Sequence, residues 1–384
     1  MRALLIVNPH ATSTTRLRRD VIARALASAV ELEIVETRYR GHGTSLAADA
    51  ASAGYGLVIT LGGDGTVNEA VNGLLSTPRR PAPALAALPG GSANVFARAL
   101  GLPPDPVDAT GQVLSALAAG RFRSIGLGLA DDRYFTFNSG MGLDAEVVRA
   151  VEGRRAHGRS VSPALYMRMA GRQFWRLTDR RVPAMHLGSA VPDGPRDPEC
   201  PGGDRGGRER PGWDRAGPER PGWDPEGQER PGWDPEGQER PGWDPEGQGR
   251  REDQENPATP AGAGRLDLAD GSPLFWCTVS NTAPWTYIGR RPVQTNPDAS
   301  FDAGLDVFGL RSLSTARTLS TLRQMLSAGR TGPPRGRGVM TAHNLAVLTV
   351  TADRPVAFQI DGEYVGEREQ VSFRSVPDAL RVVM

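Results

Sequence analysis

The chain has 384 residues, which is enough for two domains with separate hydrophobic cores and makes a third unexpected. Its 45 basic and 44 acidic residues leave a net charge of +1, without an aromatic-interleaved basic patch, so nucleic acid is not an expected partner. All 45 basic residues are arginine, which excludes mechanisms that grip a phosphate with lysine, including that of protein kinases.

The N-terminal part of the chain alternates short apolar runs with amphipathic segments. Ala3–Val7 is continuously apolar and stops at Asn8-Pro9, as expected of a buried parallel strand that ends in a turn. This alternation predicts a parallel sheet with helices on its faces, and ligands of such sheets gather at the carboxyl ends of the strands. The further predicted elements are strands at Glu31–Glu36, Leu57–Leu61 and Leu85–Leu88, and helices around Leu17–Ala29, Ser45–Ser52, Val67–Leu75 and Val95–Leu100.

Two glycine-rich loops follow the third and fourth predicted strands. The first is Gly62 to Thr66, with a carboxylate, Asp64, among its glycines, and the second is Pro89 to Asn94. Each joins the end of a strand to the start of a helix, where free N–H groups and the positive end of the helix dipole suit a phosphate. Two such loops separated by one βα unit can face each other across a phosphate chain, and Asn8 would add a third contact.

From about Arg121 the pattern changes to strands separated by turns. A hairpin is predicted around Asp131-Asp132 and a helix at Ser314–Leu326, so this part is expected to be mainly antiparallel. It is interrupted at residues 191–264 by a tract with four ten-residue repeats around Pro-Gly-Trp-Asp, whose composition predicts a disordered insertion. The tryptophans could alternatively dock on a partner or a membrane interface.

Acidic residues beside glycines form two further candidates. Asp361-Gly362-Glu363 is either a two-residue hairpin turn or a pair of carboxylates for phosphoryl transfer. Asp302 and Asp306 flank Gly304 and are either solvated turn residues or ligands of a hard cation.

In order along the chain, these motifs resemble the diacylglycerol kinase catalytic-domain family, in particular its bacterial lipid kinases, whose eukaryotic relatives include sphingosine and ceramide kinases. The motifs that carry the resemblance are Asn8-Pro9, Gly62 to Thr66 with Asn68-Glu69 and Asn72-Gly73, Pro89 to Asn94 with Ala97-Arg98, Gly142 to Ala145, Asp302 to Asp306, and Asp361-Gly362-Glu363.

This resemblance implies a fold class of α/β plus mainly-β. A Rossmann-like nucleotide-binding domain would cover residues 1–124 and an antiparallel β-sandwich domain residues 125–384, with the active site in the cleft between them. It further implies an ATP-dependent, Mg²⁺-using kinase that transfers the γ-phosphoryl group to a hydroxyl of a membrane lipid such as diacylglycerol or a sphingoid base.

By the same resemblance, Asp361 is the preferred base that takes the proton from the lipid hydroxyl, and Glu363 supports it. Asp64 is the competing choice, and otherwise binds Mg²⁺ through water. Asp144 would lie in the cleft, and Asp302 with Asp306 resembles a structural Mg²⁺ site. Nucleotide phosphates would be held by Asn8, Gly62, Gly63, Asp64, Gly65, Thr66, Glu69, Gly90, Gly91, Ser92 and Asn94.

Two alternative functions stay open at this point: an NAD kinase-like enzyme, whose family also has a Gly-Gly-Asp-Gly loop, and a catalytically inactive nucleotide- or lipid-binding regulator.

The N-terminal apolar run is too short for a signal peptide, and no run reaches the ~20 apolar residues of a membrane span. Cys200 and Cys277 fit neither a metal-ligand spacing nor a disulfide framework. We therefore expect a cytoplasmic protein, monomer or homodimer, that touches the inner face of the cell membrane transiently.

Overall fold

The structure is a computed structural model that describes residues 1–11, 15–77, 81–155, 168–169, 171–173, 184–188, 273–327 and 332–384. These residues belong to one compact unit, which comprises Met1–Pro192 and Thr259–Met384. The predicted repeat insertion at 191–264 lies outside the described residues. Within the described ranges, every helix is too short or too polar to cross a membrane.

Four parallel strands form the N-terminal part of the sheet, in the spatial order β2-β1-β3-β4. Strands β1, β3 and β4 are buried along nearly their whole length because helices cover the sheet, which explains their continuous apolar sequences. The strands are β1 (Arg2–Val7), β2 (Glu31–Glu36), β3 (Leu57–Gly62) and β4 (Ala84–Pro89), and the helices are α1 (Arg16–Ala27), α2 (His42–Ser52), α3 (Asp64–Ser76), α4 (Val95–Ala99) and α5 (Pro106–Ala118).

The remaining strands pair antiparallel with one another, and helices α6 and α7 lie among them in the described part of the chain. The predicted hairpin is present: Ala130 pairs with Arg133, and Asp131 adopts φ +52° in the turn. The strands are β5 (Phe122–Ala130), β6 (Arg133–Phe135), β7 (Asn138–Gly142), β8 (Met185–Gly188), β9 (Trp276–Ser280), β10 (Thr286–Ile288), β11 (Arg291–Val293), β12 (Leu305–Leu310), β13 (Val339–Leu345), β14 (Val347–Ile360) and β15 (Glu363–Val383), and the helices are α6 (Leu143–Arg155) and α7 (Thr315–Met325).

The long strand β15 joins the parallel and antiparallel strands into one mixed sheet. Its C-terminal half pairs antiparallel with β5, and at Val382 it also pairs parallel with β4 through Leu85. Its N-terminal half pairs with β14. The turn between β14 and β15 is therefore connected through the sheet to β4 and the glycine-rich loop that follows it. The mixed sheet with helices is thus established, while the division into a Rossmann-like domain and a β-sandwich domain at residue 124 stays a prediction.

Three apolar clusters stabilise this arrangement. The largest fills the space between the parallel strands and their helices, and a second lies within the antiparallel strands. The third is small and packs Leu143 and Val147 of α6 against Trp276, Phe308 and Met325. Because it joins α6, β9, β12 and α7, this third cluster positions the two helices that border the candidate site.

Candidate active site

The two glycine loops touch each other. An ideal Cβ built on Gly91 would lie 2.6 Å from the Cα of Gly63, a separation that real side chains do not reach. The amide of Gly90 also donates to the carbonyl of Gly62 over 2.6 Å. The loops follow neighbouring parallel strands, so their meeting at one edge of the sheet is a consequence of strand order. Glycine is required at Gly91 because the backbones approach too closely for any other residue.

Asn94 closes the second loop by its side chain. Its Oδ1 accepts from the amide of Gly91 and its Nδ2 donates to the Gly91 carbonyl, both over 2.8 Å. The residue adopts φ +48°, a left-handed conformation that asparagine tolerates better than most side chains. Ser92, at the exposed tip of this loop, lines the cavity together with Gly91. Asn94 therefore shapes the loop rather than presenting its amide to a ligand.

Asn8 and Glu69 support the first loop from two sides. The Nδ2 of Asn8 donates to Thr66 Oγ1 over 3.3 Å, at the start of α3. The Glu69 carboxylate accepts from the amides of Gly41 (2.8 Å) and Gly43 (2.9 Å), which lie at the N-terminus of α2. Glu69 thus caps α2 and ties it to α3, and because it also lines the cavity, its predicted contact with the nucleotide stays a prediction.

Asp64 connects the two loops electrostatically. It begins α3 on the first loop, and its Oδ1 accepts from the amide of Phe96, at the start of α4 behind the second loop, over 3.1 Å. Burial raises the pKa of Asp64 to about 6; amides of residues 94–96 lower it, and the charge of Asp361 raises it. Asp64 also lines the cavity. A carboxylate of this kind can exchange a proton with a bound group near neutral pH.

Asp361 is buried at 4% exposure and accepts five hydrogen bonds. Its Oδ2 accepts from the amide and hydroxyl of Thr136 and from Asn68 Nδ2, each over 2.8 Å. Its Oδ1 accepts from the amides of Phe137 (3.0 Å) and Asn138 (3.2 Å). Burial raises its pKa, and these donors lower it again in part. Five donors saturate the about four lone-pair sites of a carboxylate, which does not favour the predicted role of Asp361 as the base.

The hairpin interpretation of Asp361-Gly362 is confirmed. Ile360 pairs with Glu363 across the turn, and the two central residues adopt φ +48° and +74°, as a type I′ turn requires. Gly362 donates its amide to Gln359 Oε1 over 2.8 Å, which fixes the turn further. The turn and the carboxylate together hold β14 and β15 against β7 and α3, and both also line the cavity, so the predicted catalytic role of Asp361 stays a prediction.

Glu363 is held between two arginines. Its carboxylate forms ion pairs with Arg40, from the loop before α2, and with Arg133 of β6. Arg133 also donates to Asn68 Oδ1, so Glu363, Arg133 and Asn68 form one chain of contacts that ends at Asp361. Glu363 is therefore linked to Asp361 through Arg133 and Asn68, and its predicted support of catalysis stays a prediction. Asn68 belonged to the motifs that carry the family resemblance, but the sequence assigned it no role. Its position one helical turn after Asp64 could have indicated that it lies near the site.

Asp144 lies at the start of α6 and borders the cavity, as the resemblance implied. Its Oδ2 accepts from Gln359 Nε2 over 2.8 Å, and the side chain of Trp285 is a second donor. Burial raises the pKa of Asp144 to about 6, against these two donors. Gln359 itself also donates to Asn138 Oδ1, so a buried polar network links Asp144 to the strand that carries Asp361. Sequence reasoning missed Gln359 because nothing in its surroundings marks it.

Asp302 and Asp306 have separate basic partners. Asp302 is 66% exposed and pairs with Arg123, whereas Asp306 is 2% exposed and pairs with His343 Nδ1 at 2.7 Å. Asp306 Oδ1 also accepts from the amide of Asn344 over 2.9 Å. Among the described residues, no three His, Cys, Asp or Glu side chains come together as a metal-ligand set. The two carboxylates thus have separate partners, and the structural Mg²⁺ site stays a prediction.

One cavity of about 1620 Å³ joins the glycine loops to an apolar wall. The polar end is formed by the loops with Asn8 and Asp64, and the other end by side chains of α6, α7 and two tryptophans whose ring centroids lie 5.5 Å apart. None of these wall residues was singled out from the sequence as a site residue, since they are ordinary apolar residues scattered over four elements. The wall contains Leu143, Val147, Val148, Val151, Trp276, Trp285, Ile288, Leu319, Leu322 and Leu326.

Comparison with protein-family models identifies the first third of the chain. Residues 2–129 match the family described as the diacylglycerol kinase catalytic domain, and this segment contains both glycine loops and Asp64. This segment is similar to the diacylglycerol kinase catalytic-domain family. The resemblance read from the motifs is therefore confirmed for this segment.

Curated relatives of this catalytic domain have similar names. The chain is 36% identical over 146 residues to a Chromohalobacter salexigens protein named "Probable lipid kinase YegS-like". The matched segment covers 38% of this chain and 45% of the relative. It is also 35% identical over 158 residues to a diacylglycerol kinase of Bacillus subtilis, and here the matched segment covers 40% of this chain and 50% of the relative. The matched segment spans about half the length of these relatives.

A solved structure shares the fold of the whole chain. A diacylglycerol kinase from Bacillus anthracis str. Sterne superposes with a TM-score of 0.58 at 16% identity, and the match covers 100% of this chain and 96% of the other. At this identity the likeness concerns the fold alone.

Proposed function

We propose that the protein is an ATP-dependent lipid kinase that transfers the γ-phosphoryl group to a hydroxyl of a membrane lipid, such as diacylglycerol or a sphingoid base. The observation that carries the proposal is the single cavity with touching glycine loops at one end and an apolar wall at the other. The glycine loops suit the phosphates of ATP, and the wall suits acyl or alkyl chains. The family of residues 2–129 and the names of its relatives agree with this proposal.

In the mechanism that follows, Asp64 is the base. Its carboxylate lines the cavity beside both loops and has a pKa of about 6, so it is ionised at pH 7 and can accept the proton of the lipid hydroxyl. The lipid oxygen forms a bond to the γ-phosphorus, the bond from that phosphorus to the β–γ bridging oxygen breaks, and ADP leaves with the electron pair. Asp361 has a positioning role, because it holds Asn68 on the helix that begins with Asp64.

Mg²⁺ fits this site as an ion held mainly by the nucleotide. Of the carboxylates that line the cavity, that of Asp64 belongs to a glycine loop and could hold the ion directly or through water; Mg²⁺ sites of kinases typically use one or two carboxylates with phosphate oxygens. When bound, the ion would neutralise charge on the transferring phosphoryl group. The described residues themselves offer no set of three acidic or histidine ligands, so a dedicated all-protein Mg²⁺ cage is not part of the proposal.

The partners in this proposal are ATP and a lipid collected at the inner face of the cell membrane by transient contact. The test is incubation with labelled ATP and Mg²⁺ and, in separate reactions, dispersed diacylglycerol, sphingosine, phosphatidylinositol and NAD. Label in an organic-phase product is the expected result and identifies the lipid class. Label in NADP alone would establish the NAD kinase-like alternative, and nucleotide binding without any transfer would establish an inactive regulator.

A further inference from the structure

One part of the chain is strongly one-sided in charge. Between Asp306 and Asp353 the sequence contains six arginines and no acidic residue, although the whole chain carries a net charge of only +1. Four of the six, at positions 317, 323, 335 and 337, are described and exposed. Within the described part of the chain, none of these four forms an ion pair with a carboxylate. This region therefore presents uncompensated positive charge to its surroundings.

Helix α7 brings this charge to the apolar end of the cavity. Its residues Thr315, Thr318, Leu319 and Leu322 line the cavity, while Leu319 is 61% exposed. Leu319 thus lies where the apolar wall meets solvent. Arg323 follows it by four residues, on the same side of the helix and one turn nearer its C-terminus. An exposed leucine next to an arginine at the mouth of an apolar cavity is typical of a surface that meets lipid.

The loop after α7 adds two more arginines to the same side. The side chain of Gln324 donates to the carbonyl of Arg335 over 2.9 Å and accepts from its amide over 3.0 Å. Near the end of this loop, Gly338 accepts from the amide of Arg311 over 2.8 Å. These contacts hold the exposed side chains of Arg335 and Arg337 near the C-terminal half of α7.

The β10–β11 hairpin carries two further exposed arginines, and its tip contacts Arg98 of α4, which donates to the carbonyls of Gly289 (3.2 Å) and Arg290 (3.4 Å). Ile288 of this hairpin lines the cavity, and the next residues include the exposed Arg290 and Arg291. Directly after the hairpin, the amide of Gln294 donates to the carbonyl of Met325 over 2.9 Å, which ties the hairpin to the end of α7. Apolar side chains at the mouth of the cavity are thus flanked by arginines on two elements.

We propose that this surface docks on an anionic lipid bilayer, so that the apolar end of the cavity opens directly against the membrane. We call it the arginine rim and define it as Arg323, Arg335 and Arg337 near Leu319, together with Arg290 and Arg291 of the hairpin. The inference rests on the proposed function, because it explains how a lipid chain would enter the cavity. Charge complementarity selects the occupant: anionic head groups attract juxtaposed arginines, and the apolar residues in their midst suit the acyl region.

The test compares two double variants with the same charge change. R323E/R337E alters the arginine rim, and R24E/R374E alters exposed arginines elsewhere; Arg323 and Arg24 each lie in the last turn of a helix, so their effects on helix stability match. None of the four residues lines the cavity. Binding is measured by co-sedimentation with two kinds of vesicle, phosphatidylcholine alone and phosphatidylcholine with roughly 30% anionic phosphatidylglycerol. Each measurement is made at low and at high salt.

We expect the wild type to bind the anionic vesicles preferentially and to lose affinity at high salt. An arginine near an anionic surface contributes about five-fold in affinity, so R323E/R337E should bind at least about 20-fold more weakly, and R24E/R374E within about two-fold of the wild type. Equal losses in both variants, or equal binding of the wild type to neutral and anionic vesicles, would overturn the proposal. If R323E/R337E does not fold, R335Q/R337Q, outside any helix, must show the same loss in smaller degree.

Phosphoryl transfer separates this proposal from the function on which it rests. With a short-chain lipid in detergent micelles, R323E/R337E should match the wild type, while transfer to the same lipid class in anionic vesicles should fall in parallel with binding. A wild type that binds anionic vesicles through the arginine rim and phosphorylates no lipid would refute the proposed kinase and leave the docking surface standing. Unchanged transfer in vesicles by R323E/R337E would refute the docking surface and leave the kinase standing.

Discussion

The side-chain amide of Asn68 donates a 2.8 Å hydrogen bond to the carboxylate of Asp361, and this contact joins α3 to the β14–β15 turn across 293 positions of sequence. Asn68 lies one helical turn after Asp64, so the contact fixes the helix that carries the proposed base. Asp361 in turn is held by the backbone of residues 136–138, which belongs to the antiparallel part of the sheet. A buried carboxylate thus secures the geometry of a cavity whose chemistry we assign to another carboxylate.

The first prediction concerns this buried carboxylate. In Asp361→Asn one carboxylate oxygen becomes an NH₂ group, so at least two donors now face a donor. The φ of +48° is compatible with asparagine, so the turn itself is not the cause of any effect. Leaving buried donors unsatisfied costs about 1–3 kcal/mol each, and we expect a loss of about 2–4 kcal/mol in the free energy of unfolding, measured by denaturant titration.

The matched control for this prediction is Asp302→Asn, since Asp302 is 66% exposed and its ion pair with Arg123 lies at the surface. Exposed pairs contribute little, and the control should change stability by less than about 1 kcal/mol. If Asp361→Asn kept its full stability but lost turnover by roughly 10² or more, the carboxylate would have to act on the substrate directly.

The glycine loops show how much of the site could be predicted from the sequence. Their convergence followed from strand order alone, because the carboxyl ends of adjacent parallel strands meet at one edge of a sheet. The partners of Asp361 could not be predicted, since they depend on how β15 crosses from the antiparallel strands to β4. Without that path, an aspartate in an Asp-Gly turn is equally well explained as a solvated hairpin residue or as a catalytic base.

The apolar wall of the cavity marks the same limit. Val147 and Leu322 lie in helices that any amphipathic pattern would predict, and Trp276 lies in a buried strand. All three side chains line the same cavity because of how the small third cluster packs. The periodicity of the local sequence does not encode that packing. Functional residues with a motif were therefore accessible to sequence analysis, and those defined by a shared surface were not.

The second prediction is a pH dependence of turnover that belongs to Asp64. Burial raises the pKa of this carboxyl in the ligand-free protein to about 6, and a base must be deprotonated to act, so kcat/KM should rise from pH 5 to pH 7 with a midpoint near 6. Asp64→Asn keeps an acceptor for the Phe96 amide and should fold normally, but it should lower kcat by roughly 10² or more and abolish this pH dependence.

Asp144→Asn is the control for this profile, because Asp144 borders the same cavity and its pKa is also raised to about 6. It should retain the rise in kcat/KM between pH 5 and pH 7. A profile that persists in the residual activity of Asp64→Asn, or that disappears in Asp144→Asn, would assign the titration to a group other than Asp64.

The third prediction concerns stability and Asp144. Its pKa is raised from 3.8 to about 6 by burial, so the native state binds more protons than the unfolded state between these values. Stability contributed by this group therefore falls as pH rises through that window. Asp144→Asn removes the ionisation, and its free energy of unfolding relative to wild type should increase by about 1 kcal/mol between pH 5 and pH 7.

Denaturant titrations of both proteins at the two pH values measure this difference directly. The hydrogen bonds from Gln359 and Trp285 are lost or kept equally at both pH values, so their contribution cancels in the comparison. A difference that stays constant with pH would mean that Asp144 is ionised in the folded protein already at pH 5.

The last prediction tests the contact between the glycine loops. In Gly91→Ala the new methyl group would lie 2.6 Å from the Cα of Gly63, so the loops must separate, whereas a Cβ on Gly65 would meet nothing within 4 Å. We expect Gly91→Ala to lose about 1–3 kcal/mol of stability by overpacking and to raise the KM for ATP at least about tenfold. Gly65→Ala, in the first turn of α3, should keep the stability of the wild type to within about 0.5 kcal/mol. A raised KM in Gly65→Ala without loss of stability would place a phosphate against that residue, and wild-type KM and stability in Gly91→Ala would show that the loops do not need their contact.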